Sequence, residues 1–461
     1  MSLATRIDRS VLSPLEASFP GRLLLPGDDG YDAARRVHNG LIDRRPSVIA
    51  RCSRTADVVD ALDFAIRNGL EISIRGGGHN VAGRAVIDDG MMIDLSPMKG
   101  ICVDPSGRRV RVQAGVTWGE LNRETQQHGL ATTGGAVSST GVAGLTLGGG
   151  FGFLMGQYGF TIDTLISVEM VTADGKTLNA SREENSELFW GVRGGGGNFG
   201  AATSFEFALH AIGPMVIGGM IAYPIDQSKD VLRFYRGLTS AAPDDLTVAA
   251  SLTHTQDGSG QQLAAMLVCH CGHMDKAKEA LHPLKTFGSP VLDRVGPLSY
   301  TSLNQMLDPS FPKLALNYWK SCFIKELSDD VITVLREQFA RCPSLMSKLI
   351  IEHPHGAALR PKPTDMAFPH RDPGYSVLII AQWSDPRDNA LNIAWAKETF
   401  SALEPFTRQG AYSNYMADDE PLSGVKRAFA GNYLRLQELK DLYDPGNLFH
   451  NNQNIPPSKW T

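Results

Sequence analysis

Cysteine is scarce in this chain, with six among 461 residues, at Cys52, Cys102, Cys269, Cys271, Cys322 and Cys342. So few at this length argue against a disulfide framework, and free thiols are expected. No apolar run approaches the ~18–20 residues that a membrane span needs. Charge of one sign is lacking too: the net charge is −5, with no block of like charges. That excludes the basic footprint of a nucleic-acid binder or of a protein held on an anionic membrane. The first residues, "MSLATRIDRSVLSPLEASF", carry charges where a secretory signal needs its apolar segment, so a soluble, cytoplasmic protein is expected. A phosphate loop of the form G-x-x-x-x-G-K-[ST] is missing as well. The cluster "CHCGH" (Cys269 to His273) continues an apolar run. In a strand Cys269 and Cys271 share one face and His270 takes the other. No second pair has zinc-site spacing, so no metal is expected.

A chain of 461 residues is long for a single core and implies two or three packed units. Residues 1–205 read as short strands, glycine loops and a few helices. "SRTADVVDALDFAIRNG" has helical spacing, with Ser53 or Thr55 as N-cap and Gly69 as stop. "LEISIRGGG" is an alternating strand that runs into a loop, and "TWGELNRETQQHG" reads as a helix. From about 210 to 410 strands such as "DLTVAASLTHT", "SKLIIEH" and "YSVLIIAQW" alternate with amphipathic helices. This texture predicts an α+β unit whose sheet carries helices on one face. The tail holds a helix ended by Asp444-Pro445-Gly446.

Glycine is what the chain has in plenty, and it comes in clusters: "RGGGHNVAG", "TTGGAVSSTGVAG", "LTLGGGFGFLMGQYG" and "RGGGGNFG". Successive backbone N–H groups in tight glycine turns form anion-binding concavities, so a pyrophosphate is their natural occupant. "IRGGGHN" follows a strand, but the residues after it lead to another strand rather than to a helix, which excludes the Rossmann arrangement. Four such loops point to a dinucleotide held by a non-Rossmann fold. His79, at the end of the first loop, is then a ligand contact or a nucleophile.

These loops, with "ELFWGVRGGGGNFG", "AFPHR", "YSNY" and "DPGNLFHNNQNIPP", resemble the berberine bridge enzyme-like flavoproteins of the vanillyl-alcohol oxidase (PCMH-type) FAD-binding superfamily. The resemblance runs through residues 40 to 457 in order. It implies a two-domain α+β fold: a PCMH-type FAD-binding domain (1–210), a substrate domain with an antiparallel sheet covered by helices (211–410), and a C-terminal segment returning to the FAD domain (411–461). It also implies FAD bonded covalently through His79. The second, cysteinyl link of many relatives is missing, because Val137 stands at that position. Implied cofactor contacts are Arg75, Gly76, Gly77, Gly78, His79, Asn80 and Gly83 in the first loop, and Ser96 beyond it. The middle loops add Gly135, Val137, Ser138, Ser139, Thr140, Gly141, Gly144, Gly149 and Gly152. The fourth adds Asn198 and Gly200, and the tail Asn452 and Asn454, whose amides suit ring carbonyl and N–H groups.

For catalysis the resemblance implies Tyr415, beside Tyr412 and Asn414, as base, with Thr140 as the small gatekeeper that lets oxygen in. A tyrosine with a pKa near ~10 needs that value lowered to act as a base at neutral pH. Glu352 is the third candidate. It shares a strand face with Ile350, while Leu349 and Ile351 take the other. It is therefore either a surface charge at a strand end or a cleft carboxylate with a raised pKa. Gln382, Tyr318 and Lys320 are further candidates for the inner face of the sheet, and His370 and Arg371 read as structural. The expected activity is that of an FAD-dependent oxidase. A small alcohol or phenolic substrate gives hydride to flavin N5, and O2 reoxidises the flavin with release of H2O2. Two alternatives stand beside it: a flavin-N5-oxide-dependent oxygenase, suggested by Thr140, and an amine oxidase of the 6-hydroxynicotine type, against which Tyr415 argues. Partners are a small-molecule substrate and O2, with no nucleic acid and no membrane, the protein being a monomer or homodimer.

Overall fold

The computed structural model describes residues 9–19, 22–255, 257–408 and 410–460. Its first part is built on two small sheets. One has the order Leu23–Leu24, Val48–Arg51, Met91–Asp94, Ile72–Arg75. Its last three strands run parallel, Ile72 facing Met91 and Arg75 facing Asp94. Parallel neighbours need a crossover of a dozen or more residues. Between Ile72–Arg75 and Met91–Asp94 that crossover contains no helix; it is the first glycine loop. The second sheet is antiparallel, in the order Ile101–Asp104, Arg109–Gln113, Ala201–Ala208, Leu165–Val171, Thr177–Ser181.

Local sequence explains most of the helices here. Thr117 caps Trp118–Gln126 through a reciprocal box with Glu120, whose carboxylate accepts from the Thr117 N–H at 2.8 Å. Thr55–Arg67 departs from the expected capping. Neither Ser53 nor Thr55 caps it; Asp57, one turn in, reaches back to the Ser53 N–H at 2.8 Å.

The second part is a nine-stranded antiparallel sheet. Its centre runs Met215–Pro224, Gln262–His270, Leu246–His254, Lys348–Glu352, Tyr375–Trp383, Leu316–Ile324. Helices Ser228–Ser240, Met274–Thr286, Asp329–Ala340 and Asn389–Leu403 cover one face. Asp329–Ala340 starts at Ser328, whose hydroxyl accepts from the Val331 N–H, and it buries Val331, Ile332, Leu335 and Phe339. Truncating a core leucine such as Leu335 to alanine costs about 2–5 kcal/mol. Leu349 and Ile351 point into this helix-covered core, so Lys348, Ile350 and Glu352 face the other way. A slip of one residue would exchange the two sets.

Helices Leu422–Phe429 and Tyr433–Tyr443 leave the second part and pack on the first. Val425, Phe429, Leu436, Leu439, Phe449 and Ile455 join its core. In the "CHCGH" stretch Cys269 and His270 are both buried, and Cys269 packs with Tyr300 and Leu303. Among the described residues no group of three or more His, Cys, Asp or Glu is placed to hold a metal ion, and no helix is long and apolar enough to cross a membrane.

Candidate active site

A cavity of about 410 Å³ is lined on one side by the glycine loops and on the other by the uncovered face of the large sheet. The strand Ile72–Arg75 delivers Gly76, Gly77, Gly78, His79 and Asn80 to its wall. A Cβ on Gly77 would sit 2.5 Å from the Gly141 Cα. Only glycine fits there, so the first two loops meet backbone to backbone. Gly78 is left-handed at φ 65°, and His79 follows it. The His79 ring stacks on His38, with centroids 3.9 Å apart. Burial first, and His38 second, push the His79 pKa down to about 3. It is therefore a neutral imidazole with a free lone pair at neutral pH.

Gly135, Val137, Thr140, Gly141, Gly144 and Gly152 continue the wall, and Asn198, Gly200 and Asn452 complete it. His79 Nε2, Asn80 Oδ1, Asn452 Oδ1 and Gln453 Nε2 are buried and have no partner among the described residues. A buried polar group left unpaired costs about 1–3 kcal/mol. Four on one cavity wall are groups set to meet a polar ligand. Asn198, on the wall, also makes bonds within the protein. Its amide donates to Gly195 O at 2.8 Å and Gln453 O at 3.2 Å and accepts from the Ile455 N–H at 3.0 Å. It ties the tail to the fourth glycine loop.

Seven residues expected at the cofactor stand off the cavity wall. Arg75 donates to Ala34 O and lies 3.9 Å from Asp94. Ser96 donates to Asp94 at 2.9 Å, and Ser138 to Asp308 through both its N–H and its hydroxyl. Ser139 points to solvent. Gly83 packs against Ile42 and Gly149 against the Phe368 ring. Asn454 lies one residue past the wall-lining Gln453. For Arg75, Ser96, Ser138, Gly83 and Gly149 the local reason is a close contact that motif position alone does not reveal.

The sheet supplies the opposite wall through Thr247, Ser251, Trp319, Lys348, Ile350 and Glu352. The Glu352 carboxylate accepts from the Tyr415 hydroxyl at 3.2 Å and from the Ser376 hydroxyl at 3.1 Å. Burial outweighs both bonds and raises the Glu352 pKa to about 7. Of the two sequence alternatives, the cleft carboxylate is the one observed. Tyr415 goes the other way from its expected role: burial, and then the Glu352 charge, raise its pKa well above that of a free phenol. Tyr412 stands edge-on to Tyr415 at 4.6 Å and accepts from the Gly150 N–H at 2.9 Å.

Lys348 was missed by sequence reasoning, although period-two counting back from Glu352 through Ile350 reaches it. Its ammonium donates to Ser310 O at 2.7 Å and lies 4.4 Å from the centre of the Phe311 ring. Burial lowers its pKa to about 7. Trp319 was missed as well, and its neighbours turn away. Tyr318 donates to Asp419 at 2.9 Å and Lys320 to Glu420, under the helices. Gln382 pairs with Asn317 at 3.1 Å and stays off the cavity wall. Arg371 donates to both Asp163 carboxylate oxygens, at 2.7 and 2.8 Å.

The FAD binding domain family matches residues 46–181, and the "Berberine and berberine like" family matches residues 411–456. The chain is 32% identical over 462 residues to (R)-6-hydroxynicotine oxidase of Paenarthrobacter nicotinovorans, covering 95% of this chain and 97% of that one. It is 30% identical over 416 residues to an FAD-linked oxidoreductase of Dictyostelium discoideum, covering 89% of each. The crystal structure of 6-hydroxy-D-nicotine oxidase from Arthrobacter nicotinovorans superposes with a TM-score of 0.86 at 29% identity, over 95% of this chain and 98% of that one. Physcomitrella patens BBE-like 1 has the same fold, at a TM-score of 0.87 and 22% identity, over 96% of this chain and 99% of that one.

Proposed function

This chain belongs to the family of FAD-linked oxidoreductases that contains 6-hydroxynicotine oxidase and the berberine bridge enzyme-like proteins, and we propose that it is an oxidase of small molecules with its FAD carried on His79. The unpaired atoms of His79, Asn80, Asn452 and Gln453 fit the ring edge and polar chain of that cofactor. Val137, in place of a thiol, makes the histidyl link the single one. When bound, FAD supplies the hydride acceptor and passes the electrons to O2, which leaves as H2O2. Thr140, a small side chain on the wall, leaves room for O2 there.

The observation that carries the reading is the Glu352–Tyr415 pair, which shares the cavity with His79. Tyr415 keeps its proton, so Glu352 is the basic member. Its carboxylate takes the proton of a substrate hydroxyl while hydride departs, and the Tyr415 hydroxyl orients it. Lys348 lies four residues away on the same strand face, about 13 Å along it at ~3.3 Å per residue. It receives a phenolate or carbonyl oxygen at the far end of the substrate, with Ile350 and Trp319 between. An amine substrate is the second reading. One carboxylate among aromatic rings, with Trp319 and Tyr415 centred 6.1 Å apart, is a setting that also receives an ammonium group.

The test is the mass of the denatured, purified chain, paired with oxygen consumption across alcohols, phenols and amines. One FAD added to the chain, absent in His79→Ala, together with H2O2 formed in proportion to substrate, supports the oxidase. A bare chain removes the covalent link. An oxygen atom retained in product, without H2O2, replaces the oxidase by an oxygenase.

A further inference from the structure

His79 is held by a second histidine. His38 is 8% exposed and stacks on His79 with the ring planes 21° apart. Both rings leave Nε2 without a partner among the described residues, but only His79 lines the cavity. The backbone fixes His38 from two sides. Its N–H donates to Gly78 O at 2.8 Å, and its carbonyl accepts from the Leu314 N–H at 2.8 Å. The next residue, Asn39, donates to Val81 O at 2.8 Å and to Asn317 O at 2.9 Å. The ring is thus clamped between the first glycine loop and the start of a sheet strand. Its face closes one side of the space in which the His79 imidazole could turn.

We propose that His38 is a positioning residue for covalent attachment of the flavin, holding the His79 ring in the orientation that presents its nitrogen to the cavity. This rests on the reading of His79 as the linking residue. In the attachment an imidazole nitrogen bonds to the 8α carbon of the flavin. That methyl group loses one hydrogen and the imidazole loses its N–H hydrogen. The two electrons released pass through the flavin ring to O2, so each link formed consumes one O2 and yields one H2O2. A neutral nucleophile is needed, and two stacked imidazoles cannot readily both be charged. Burial, helped by the neighbouring ring for His79 and by Lys313 for His38, keeps both pKa values low.

The experiment uses the full chain produced under riboflavin limitation and then given FAD. Flavin fluorescence of the denatured band follows covalent attachment with time, and quenching of free FAD fluorescence measures non-covalent binding. Wild type, His38→Ala, His38→Phe and His79→Ala are compared. His38→Ala should attach flavin on the order of a hundredfold more slowly, the scale of a misplaced reacting group, while its FAD affinity stays within a few-fold of wild type. His38→Phe, which keeps a flat ring, should attach near the wild-type rate. Attachment by His38→Ala at the wild-type rate overturns the proposal. So does a His38→Phe protein that binds FAD yet attaches it as slowly as His38→Ala. Wild type that binds FAD without ever attaching it removes the reading of His79 itself, which is seen without any His38 variant.

Discussion

Tyr415 directs its hydroxyl at the Glu352 carboxylate across 3.2 Å, so one buried acid is the hydrogen-bond donor of another. Burial holds the carboxyl near a pKa of 7. Below that pH it is protonated and cannot take a substrate proton; above it the base is present. Turnover should therefore rise with pH through about 7. Glu352→Gln should lower kcat by roughly 10²–10⁴-fold, the usual worth of a general base, and flatten this limb with flavin content unchanged. The Tyr415 bond lowers the Glu352 pKa, so Tyr415→Phe should move the limb to higher pH. A Glu352→Gln enzyme with normal turnover and an intact acid limb would sink the assignment.

Lys348 sets the opposite limb. Its ammonium loses its charge above about 7, so binding of a substrate through an anionic or carbonyl oxygen should weaken there. A hydrogen bond to a charged group contributes about 1.5–3 kcal/mol. Lys348→Met should thus raise KM roughly ten- to hundredfold for such substrates, with kcat little changed and the alkaline fall gone. Equal KM in both enzymes, for substrates with and without that oxygen, would remove Lys348 from recognition.

The placement of the glycine loops, His79, Thr140 and the tail around one cavity was legible because each belongs to a local string of neighbours in sequence. Glu352 was half legible. Strand alternation paired it with Ile350, but whether that face met solvent or cavity depends on what lies across it. The strand Leu316–Ile324 was misread for a physical reason. It is buried on both faces, so polarity does not alternate along it and gives no phase. Tyr318 and Lys320 therefore looked inward when Trp319 is the residue on the wall. His38 had no local signal at all. Its role exists only because a distant segment is folded onto Gly78 and His79.

A buried ion pair anchors the tail. The Lys440 ammonium donates to Asn198 O at 2.9 Å, Asp444 Oδ2 at 2.7 Å and Phe449 O at 3.0 Å, with both charged side chains fully buried. Lys440→Met leaves the Asp444 carboxylate buried without its cation, which costs about 3–5 kcal/mol. It also frees the Asn198 loop and the turn before Asn452, so FAD should bind more weakly. Urea unfolding and FAD titration of the variant measure the two effects. A stability loss under about 1 kcal/mol, within the range of surface substitutions, would show that the pair does not anchor the tail.

Buried neutral histidines make the fold sensitive to acid. Burial lowers the pKa values of His38, His353 and His370 to about 4, against about 6.5 in an unfolded chain. Between those values the unfolded chain binds protons that the folded one refuses, so stability falls as pH falls. Each histidine contributes a slope of up to about 1.4 kcal/mol per pH unit, flattening near pH 4. Glu352 acts in the opposite sense. Its pKa is raised by folding, so below about 7 it binds a proton that the unfolded chain still lacks, and it stabilises. His79 and His210, whose pKa values burial also lowers, act in the same sense as the three histidines above, so the histidines set the net sign. Denaturant midpoints should drop from pH 7 to pH 5, and His353→Phe should shallow that dependence by one proton. Equal stability at the two pH values would mean that these imidazoles are solvated or charged in the native protein, and that the interior is wetter than its packing shows.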